Sequence, residues 1–352
     1  MDTSNKFDYQ HIAATKVLEN LYSGKYIASI LAGFCNSGKT TISFEILNRY
    51  LQKYPDAQVI TTTHGQNILK SQYLQELKNP KVKLNFTFGT FKEEAQVLVG
   101  LPQSLHNLKV SKVDLLIIDE AHDFYTAKTI QDFIVNYKIK HIILLTASVA
   151  QFNLHNQTNP SQFGCHCICG SELQELGVFS KVEMDVVVTS SPTISEQIKL
   201  SMKKLDELNS DRRKIMFAVK SIKDAKLAQI CLNGYGRKVS LSTCENDVNS
   251  AEIQKFKDGL TNTLVVVNRG VLGYSDNNVT CLIDLRESKD LENSLQLFAR
   301  ILRKHDEDII KTYIRLTKKN NDGCVFLHSL LSLFRRDIYT TYNGKNLEIE
   351  II

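Results

Sequence analysis

Gly33-Phe34-Cys35-Asn36-Ser37-Gly38-Lys39-Thr40 reads as G-x-x-x-x-G-K-[ST], set between an apolar run, Tyr26 to Leu31, and a helix-like stretch, Thr41 to Leu51. Strand, glycine-rich loop and helix in that order are what a phosphate cradle requires. The glycines let the backbone turn tightly enough for several N–H groups to point at one anion, and the helix adds the positive end of its dipole. Gly33, Phe34, Cys35, Asn36, Ser37 and Gly38, continued by Thr41, are therefore expected to wrap the phosphates of a nucleoside triphosphate. Lys39 is placed to reach the β- and γ-phosphates, and the Thr40 hydroxyl to hold Mg²⁺.

Outward from this loop, apolar runs alternate with amphipathic stretches in the manner of a parallel sheet with crossover helices. Strands are expected at Ile27–Leu31, Gln58–Thr62, Leu84–Phe88, Asp114–Ile118 and His141–Thr146. Helices are expected at Thr40–Gln52, Gln66–Leu77, Lys92–Leu98 and Thr126–Asn136. Residues 150–180, with Pro160 and a cysteine cluster, read as a long irregular connection. A second alternating series follows, with strands at Lys214–Ala218, Lys238–Ser242, Thr263–Val267, Thr280–Asp284 and Ile309–Leu316. Its helices fall at Ile222–Leu232, Ala251–Asp258 and Asn293–Leu302. The chain is thus α/β twice over, with a join between Thr189 and Asp211 and a tail carrying a helix at Cys324–Arg335.

A phosphate loop needs carboxylates on a neighbouring strand, and Leu115-Leu116-Ile117-Ile118-Asp119-Glu120 supplies them. The apolar run suits a central strand buried on both faces, with Asp119 emerging at the carboxyl end where ligands of open α/β sheets bind. Asp119 is the candidate second Mg²⁺ holder, and Glu120 the candidate general base that polarises the attacking water.

Asp119-Glu120-Ala121-His122 spells D-E-A-H, and with it the chain resembles superfamily 2 helicases and translocases of the DEAH-box type over residues 7–305. Phe7-Asp8-Tyr9-Gln10 is similar to the family's adenine-reading motif, which gives Gln10 that role and ATP as the triphosphate. Thr61-Thr62-Thr63-His64 and Phe88-Gly89-Thr90-Phe91 resemble its first nucleic-acid-contacting motifs, implying contacts from Thr63, His64 and Thr90. Thr146-Ala147-Ser148 is similar to the motif that couples hydrolysis to domain movement, so His122, Thr146 and Ser148 are the implied coupling residues. In the second half, Val267 to Asp276 resembles motif V, implying strand contacts from Asn268 and Gly273, with its acid, Asp276, displaced by one position. Gln296-Leu297-Phe298-Ala299-Arg300-Ile301-Leu302-Arg303 is similar to Q-x-x-G-R-x-x-R, with Ala299 for Gly. The spacing puts Gln296, Arg300 and Arg303 on one helix face, and Arg303 is the expected arginine finger.

The resemblance implies two tandem RecA-like domains, 1–189 and 190–316, with a C-terminal tail over 317–352, and an ATP-driven helicase acting on DNA or RNA, DNA being slightly favoured. A duplex translocase that does not unwind, and an ATP-clamped binding or annealing module, are the alternatives. A monomeric motor with partners from replication, recombination or transcription fits this reading.

Composition narrows the classes further. With 43% hydrophobic and 23% charged residues the 352-residue chain is globular, and its length calls for two cores. The net charge of +5 permits a polyanionic partner without demanding one. No apolar run approaches the roughly 18 residues of a membrane span, and Met1 to Lys6 carries no signal-like apolar region. The cytoplasm is therefore expected, or a host's cytoplasm if the compact, Asn- and Lys-rich chain is of phage or viral origin. Cys165-His166-Cys167-Ile168-Cys169 places four soft ligands in five residues, but without the distant second pair of a structural zinc site reduced thiols are expected.

Overall fold

The computed structural model describes residues 8–63, 88–89, 95–147, 152, 159–208, 210–245, 247, 250–267, 276–286, 291–305, 307, 309–318, 326–327 and 329. They form two compact units, one ending at Gly170 and the other beginning at Ser171.

In the first unit, seven parallel strands make one sheet: β1 (Ala28–Gly33), β2 (Val59–Thr62), β3 (Phe88–Gly89), β4 (Val97–Gly100), β5 (Leu115–Ile118), β6 (His141–Thr146) and β7 (Phe163–Ile168). Their spatial order is β3-β4-β2-β5-β6-β1-β7. Every residue of β1, β2, β4 and β5 is buried, as a sheet covered on both faces requires. Helices α1 (Asp8–Tyr22), α2 (Lys39–Lys53), α3 (Ala121–Phe124) and α4 (Lys128–Tyr137) belong to this unit. One core cluster packs Ile30, Ile60, Leu116, Ile118 and Leu144 of the sheet against Ile130 and Phe133 of α4.

The chain then enters α5 (Gly170–Glu175) and builds the second unit. Its parallel sheet contains β8 (Val182–Val188), β9 (Ile215–Val219), β10 (Val239–Ser242), β11 (Thr263–Val267), β12 (Cys281–Asp284) and β13 (Lys311–Thr317). The order is β10-β11-β9-β12-β13-β8. Helices α6 (Ile194–Glu207), α7 (Ile222–Gly234), α8 (Ala251–Lys257) and α9 (Leu291–Leu302) accompany it. Helix α7 starts where its sequence says it should, because the Ser221 hydroxyl caps it by accepting from the Asp224 N–H at 3.1 Å. Ile198 and Leu205 of α6 join Ile215, Phe217, Val265 and Ile283 in the second core.

The expected strands of the second series recur within a residue or two. Three departures matter. Residues 150–180 are not irregular throughout, since Phe163–Ile168 pairs along the outer edge of β1 and Gly170–Glu175 is helical. Val182–Val188 pairs with β13, so the division falls at Gly170/Ser171 rather than after Thr189. The helix expected over Lys92–Leu98 is overturned at its end, because Val97–Gly100 is a strand beside β2 whose β-branched Val97 and Val99 suit it. Helices α1 and α6 were not foreseen. The expected helix Gln66–Leu77 and strand residues 84–87 lie outside the described residues, as does most of the tail helix, of which residues 326, 327 and 329 are helical.

Candidate nucleotide site

Parallel strands stand about 4.8 Å apart, so the order β5-β6-β1 sets the carboxyl ends of three strands side by side within about 10 Å. The glycine-rich loop leaves β1, the acidic pair leaves β5, and Thr146 closes β6 between them. Connectivity alone therefore brings the lysine and the carboxylates to one edge.

The loop turns through two left-handed residues, Asn36 (φ 66°) and Gly38 (φ 81°). A β-carbon on Gly33 would strike the Ser37 hydroxyl and stand 3.0 Å from Lys39 Cγ, so the loop closes only over hydrogen. Ser37 N–H donates to the Phe34 carbonyl at 2.9 Å, and Phe34 N–H to the Ile168 carbonyl of β7 at 3.0 Å. Lys39 Nζ donates to the Gly33 carbonyl at 2.8 Å and so bends back over its own loop. Gly38 offers no side-chain cap to α2, an arrangement that suits an anion at the positive end of the dipole.

Helix α1 braces this loop from outside. The Tyr9 hydroxyl donates to the Ser37 carbonyl at 2.9 Å, and Gln10 Nε2 donates to Tyr9 Oη at 3.2 Å. A β-carbon on Gly38 would lie 2.5 Å from Gln10 Nε2, so Gln10 sits against the loop. The bracing Tyr9 was overlooked as a functional residue; its signal was its place beside Gln10.

At the end of β5, Asp119 is partly buried and accepts from Glu120 N–H at 3.0 Å and from the Thr63 hydroxyl at 3.4 Å. Burial pushes its carboxyl up to about 6 and the Glu120 carboxylate pushes the same way, while Lys39 and the two hydrogen bonds pull it back. Glu120 adopts a left-handed conformation (φ 47°), a strained choice for a residue with a side chain. His122 is 2% exposed, and its Nδ1 lies 3.2 Å from the Thr146 hydroxyl. The expected coupling residues His122 and Thr146 thus meet.

Thr63, expected to touch nucleic acid, is 1% exposed, and its hydroxyl donates to Asp119. His64, Thr90, Ser148, Asn268 and Gly273 lie outside the described residues.

The residues present fit a magnesium nucleotide. Among the described residues, Ser37 Oγ, Thr62 Oγ1 and Glu120 Oε2 are buried without a hydrogen-bond partner, and all three cluster at this edge. Hard oxygen donors from Thr40 and Asp119 suit Mg²⁺. No cluster of three or more His, Cys, Asp or Glu able to hold a metal occurs among the described residues, the cysteine-rich β7 included. No disulfide joins Cys165 and Cys167 of β7, whose sulfurs lie 3.5 Å apart.

In the second unit, Gln296 and Arg300 lie on α9, but Arg303 falls one residue beyond its end. Arg303 forms an antiparallel bridge with Phe179, and its carbonyl accepts from Lys311 Nζ at 2.7 Å. The Arg303 side chain remains exposed. Asp276, the displaced acid of motif V, is buried and pairs with Lys214 Nζ at 2.7 Å.

Residues 4–151 match the family described as type III restriction enzyme, res subunit. No curated protein matches the chain. Solved structures do, including S. cerevisiae Dbp5 bound to RNA and ADP BeF3 at 15% identity and TM-score 0.60, covering 94% of this chain and 90% of that one. The Hef helicase domain of Pyrococcus furiosus matches at 13% identity and TM-score 0.57, covering 91% and 97%. A fragment described as the HsdR subunit of a type I restriction enzyme from Vibrio vulnificus matches at 14% identity and TM-score 0.65, covering 89% and 64%. The chain has two parallel-sheet α/β domains of the tandem RecA-like helicase fold.

Proposed function

We propose that this chain is a nucleic-acid-dependent ATPase of helicase superfamily 2 that converts ATP hydrolysis into translocation or unwinding. The observation that carries this is the convergence of the Lys39 loop with Asp119 and Glu120 at one sheet edge, bridged by the His122–Thr146 contact. On this reading Lys39 leaves the Gly33 carbonyl for the phosphates, and the backbone of residues 33–38 holds them. Thr40 and Asp119 hold Mg²⁺, which neutralises phosphate charge when bound. Glu120, whose Oε2 makes no hydrogen bond and lies 3.6 Å from His122 Nδ1, accepts the proton of the attacking water. Arg300 and Arg303 stabilise the charge of the transition state. Hydrolysis at Glu120 reaches the neighbouring strand end through His122 and Thr146.

DNA is the proposed track. The res-subunit match and the likeness to an HsdR fragment support it, whereas Dbp5 was solved with RNA. The test is ATP turnover measured in parallel with single- and double-stranded DNA and RNA. Stimulation by DNA is expected; turnover indifferent to all four polymers overturns the reading. Lys39→Ala should lower turnover by about 10²-fold or more with the fold intact. Arg303→Ala should depress kcat far more than ATP affinity, and equal losses would refute a role confined to the transition state.

A further inference from the structure

At the opposite edge of the first sheet, where β2, β5 and β6 begin, the first unit holds a cavity of about 590 Å³, within the roughly 300–1,000 Å³ of ligand pockets. Helix α2 joins the two edges: its 15 residues separate the Lys39 loop from this cavity by about 20 Å. The two places are distinct.

One side of the cavity is aromatic. The Tyr50 and Tyr54 rings stand 4.9 Å apart, with His141 5.6 Å from Tyr50 and 6.0 Å from Tyr54. The Tyr50 hydroxyl is pinned between His141 Nδ1 at 2.7 Å and the Asp114 carbonyl at 3.2 Å, so this wall is rigid. Tyr54 is only half-buried and keeps part of its surface open. Burial, Lys53 and Lys140 all hold the His141 imidazole below its usual range, so it stays neutral near pH 7 and adds ring surface rather than charge.

The rim is cationic. Lys53, Lys112, Lys138 and Lys140 face two carboxylates, Asp56 and Asp114. Asp114 is already engaged, by Lys112 Nζ at 2.9 Å and by Gln58 N–H at 2.7 Å. Lys53 Nζ stands 3.6 Å above the Tyr22 ring, a cation–π contact that leaves its charge uncompensated by a carboxylate. Lys138 is held in a left-handed turn (φ 51°) at the end of α4, and Lys140 follows two residues on, both exposed. Solvated surface lysines are ordinary. Three of them lining one aromatic hollow offer contacts for an anionic group attached to a flat ring.

We infer that this cavity is a second site for a nucleotide unit, taking an aromatic base against Tyr54 and the phosphate it carries against Lys53, Lys138 and Lys140. Base–tyrosine stacking tolerates any base, and lysine contacts to phosphate are sequence-independent. A free nucleotide and one unit of a single strand share this chemistry. The inference does not depend on hydrolysis, so it stands or falls apart from the proposed function.

The test uses the full chain carrying Lys39→Ala, which silences the phosphate loop. Two photoreactive probes are compared, 8-azido-AMP and a single-stranded oligodeoxynucleotide containing 5-iodouracil, with adducts mapped by mass spectrometry. Adducts on residues 50–57 or 137–141 are expected with at least one probe. Their yield should fall about fivefold or more in Tyr54→Ala and in Lys138→Glu/Lys140→Glu, and return in Tyr54→Phe, which keeps the ring. Adducts from the oligonucleotide alone assign the site to a strand, and adducts from 8-azido-AMP alone to a free nucleotide. Adducts confined to other segments, or yields unchanged in both variants, overturn the inference.

Discussion

Each sheet carries an aspartate at the carboxyl end of a central strand, and the two are held in opposite ways. Asp284, the last residue of β12, is fully buried and enclosed by cations: Arg286 Nε donates to it at 2.8 Å, Arg286 Nη2 at 3.0 Å, and Arg315 Nη1 lies 3.6 Å away. Asp119, just past β5, has a second carboxylate beside it and, among the described residues, no guanidinium; the ammonium that attracts it, Lys39, donates to a carbonyl. A buried carboxylate matched by arginines is a structural element. One left under-compensated, with its affinity for a proton raised, is a place that awaits a cation. The same strand-end position is thus matched by arginines in one unit and left under-compensated in the other.

This contrast can be broken most severely at Asp284. Asp284→Ala strands two buried guanidinium groups and should destabilise the second unit by about 3–5 kcal/mol, read as a shifted urea transition followed by circular dichroism. A loss near zero would mean the arginines are already satisfied elsewhere.

Asp119→Asn should act with the opposite sign. Because the folded Asp119 holds its proton up to about 6, above the ordinary carboxylate range, ionising it destabilises the nucleotide-free fold. Thermal stability of the first unit should therefore fall as pH rises from about 4 to about 6 and level off above, by at most roughly 3 kcal/mol. Asp119→Asn should flatten that slope while removing magnesium-dependent turnover. In the wild type, magnesium-dependent nucleotide binding should weaken below pH 6, approaching tenfold per pH unit. A slope identical in the variant would detach the titration from Asp119.

The smallest expected effect is at the contact between strand ends. Thr146→Val removes one buried hydrogen bond to His122, worth about 1 kcal/mol of stability. Its sharper signature is a lowered stimulation of turnover by DNA at unchanged basal turnover; equal loss of both would make Thr146 a packing residue only.

What could be read from residues alone follows a physical division. The loop Gly33 to Thr40 and the run Leu115 to Glu120 are legible because their chemistry is local: glycines for a turn, an unbroken apolar run for a doubly covered strand, acids at its end. Strand β7 was missed because Phe163-Gly164-Cys165-His166-Cys167-Ile168 has little strand character of its own, and it becomes a strand by hydrogen bonding to the open edge of β1. Val97 and Leu98 were placed at the end of a helix for the converse reason: a short apolar run is ambiguous until β2 supplies a partner. Thr63 shows the same limit at the level of a site, since its motif says nothing of its burial or of its bond to Asp119.

The order of residues by itself determined the phosphate loop, the acidic pair and the twofold α/β plan, because each rests on backbone preference, hydrophobic period or side-chain chemistry within a few positions. Only the tertiary structure decided that β6 lies between β1 and β5 and so joins His122 to Thr146, that Arg303 lies beyond the end of α9, and that Tyr50, Tyr54 and His141 close on one cavity. Those facts depend on which distant strand pairs with which, and pairing is settled by the packing of whole sheets rather than by any neighbouring residue.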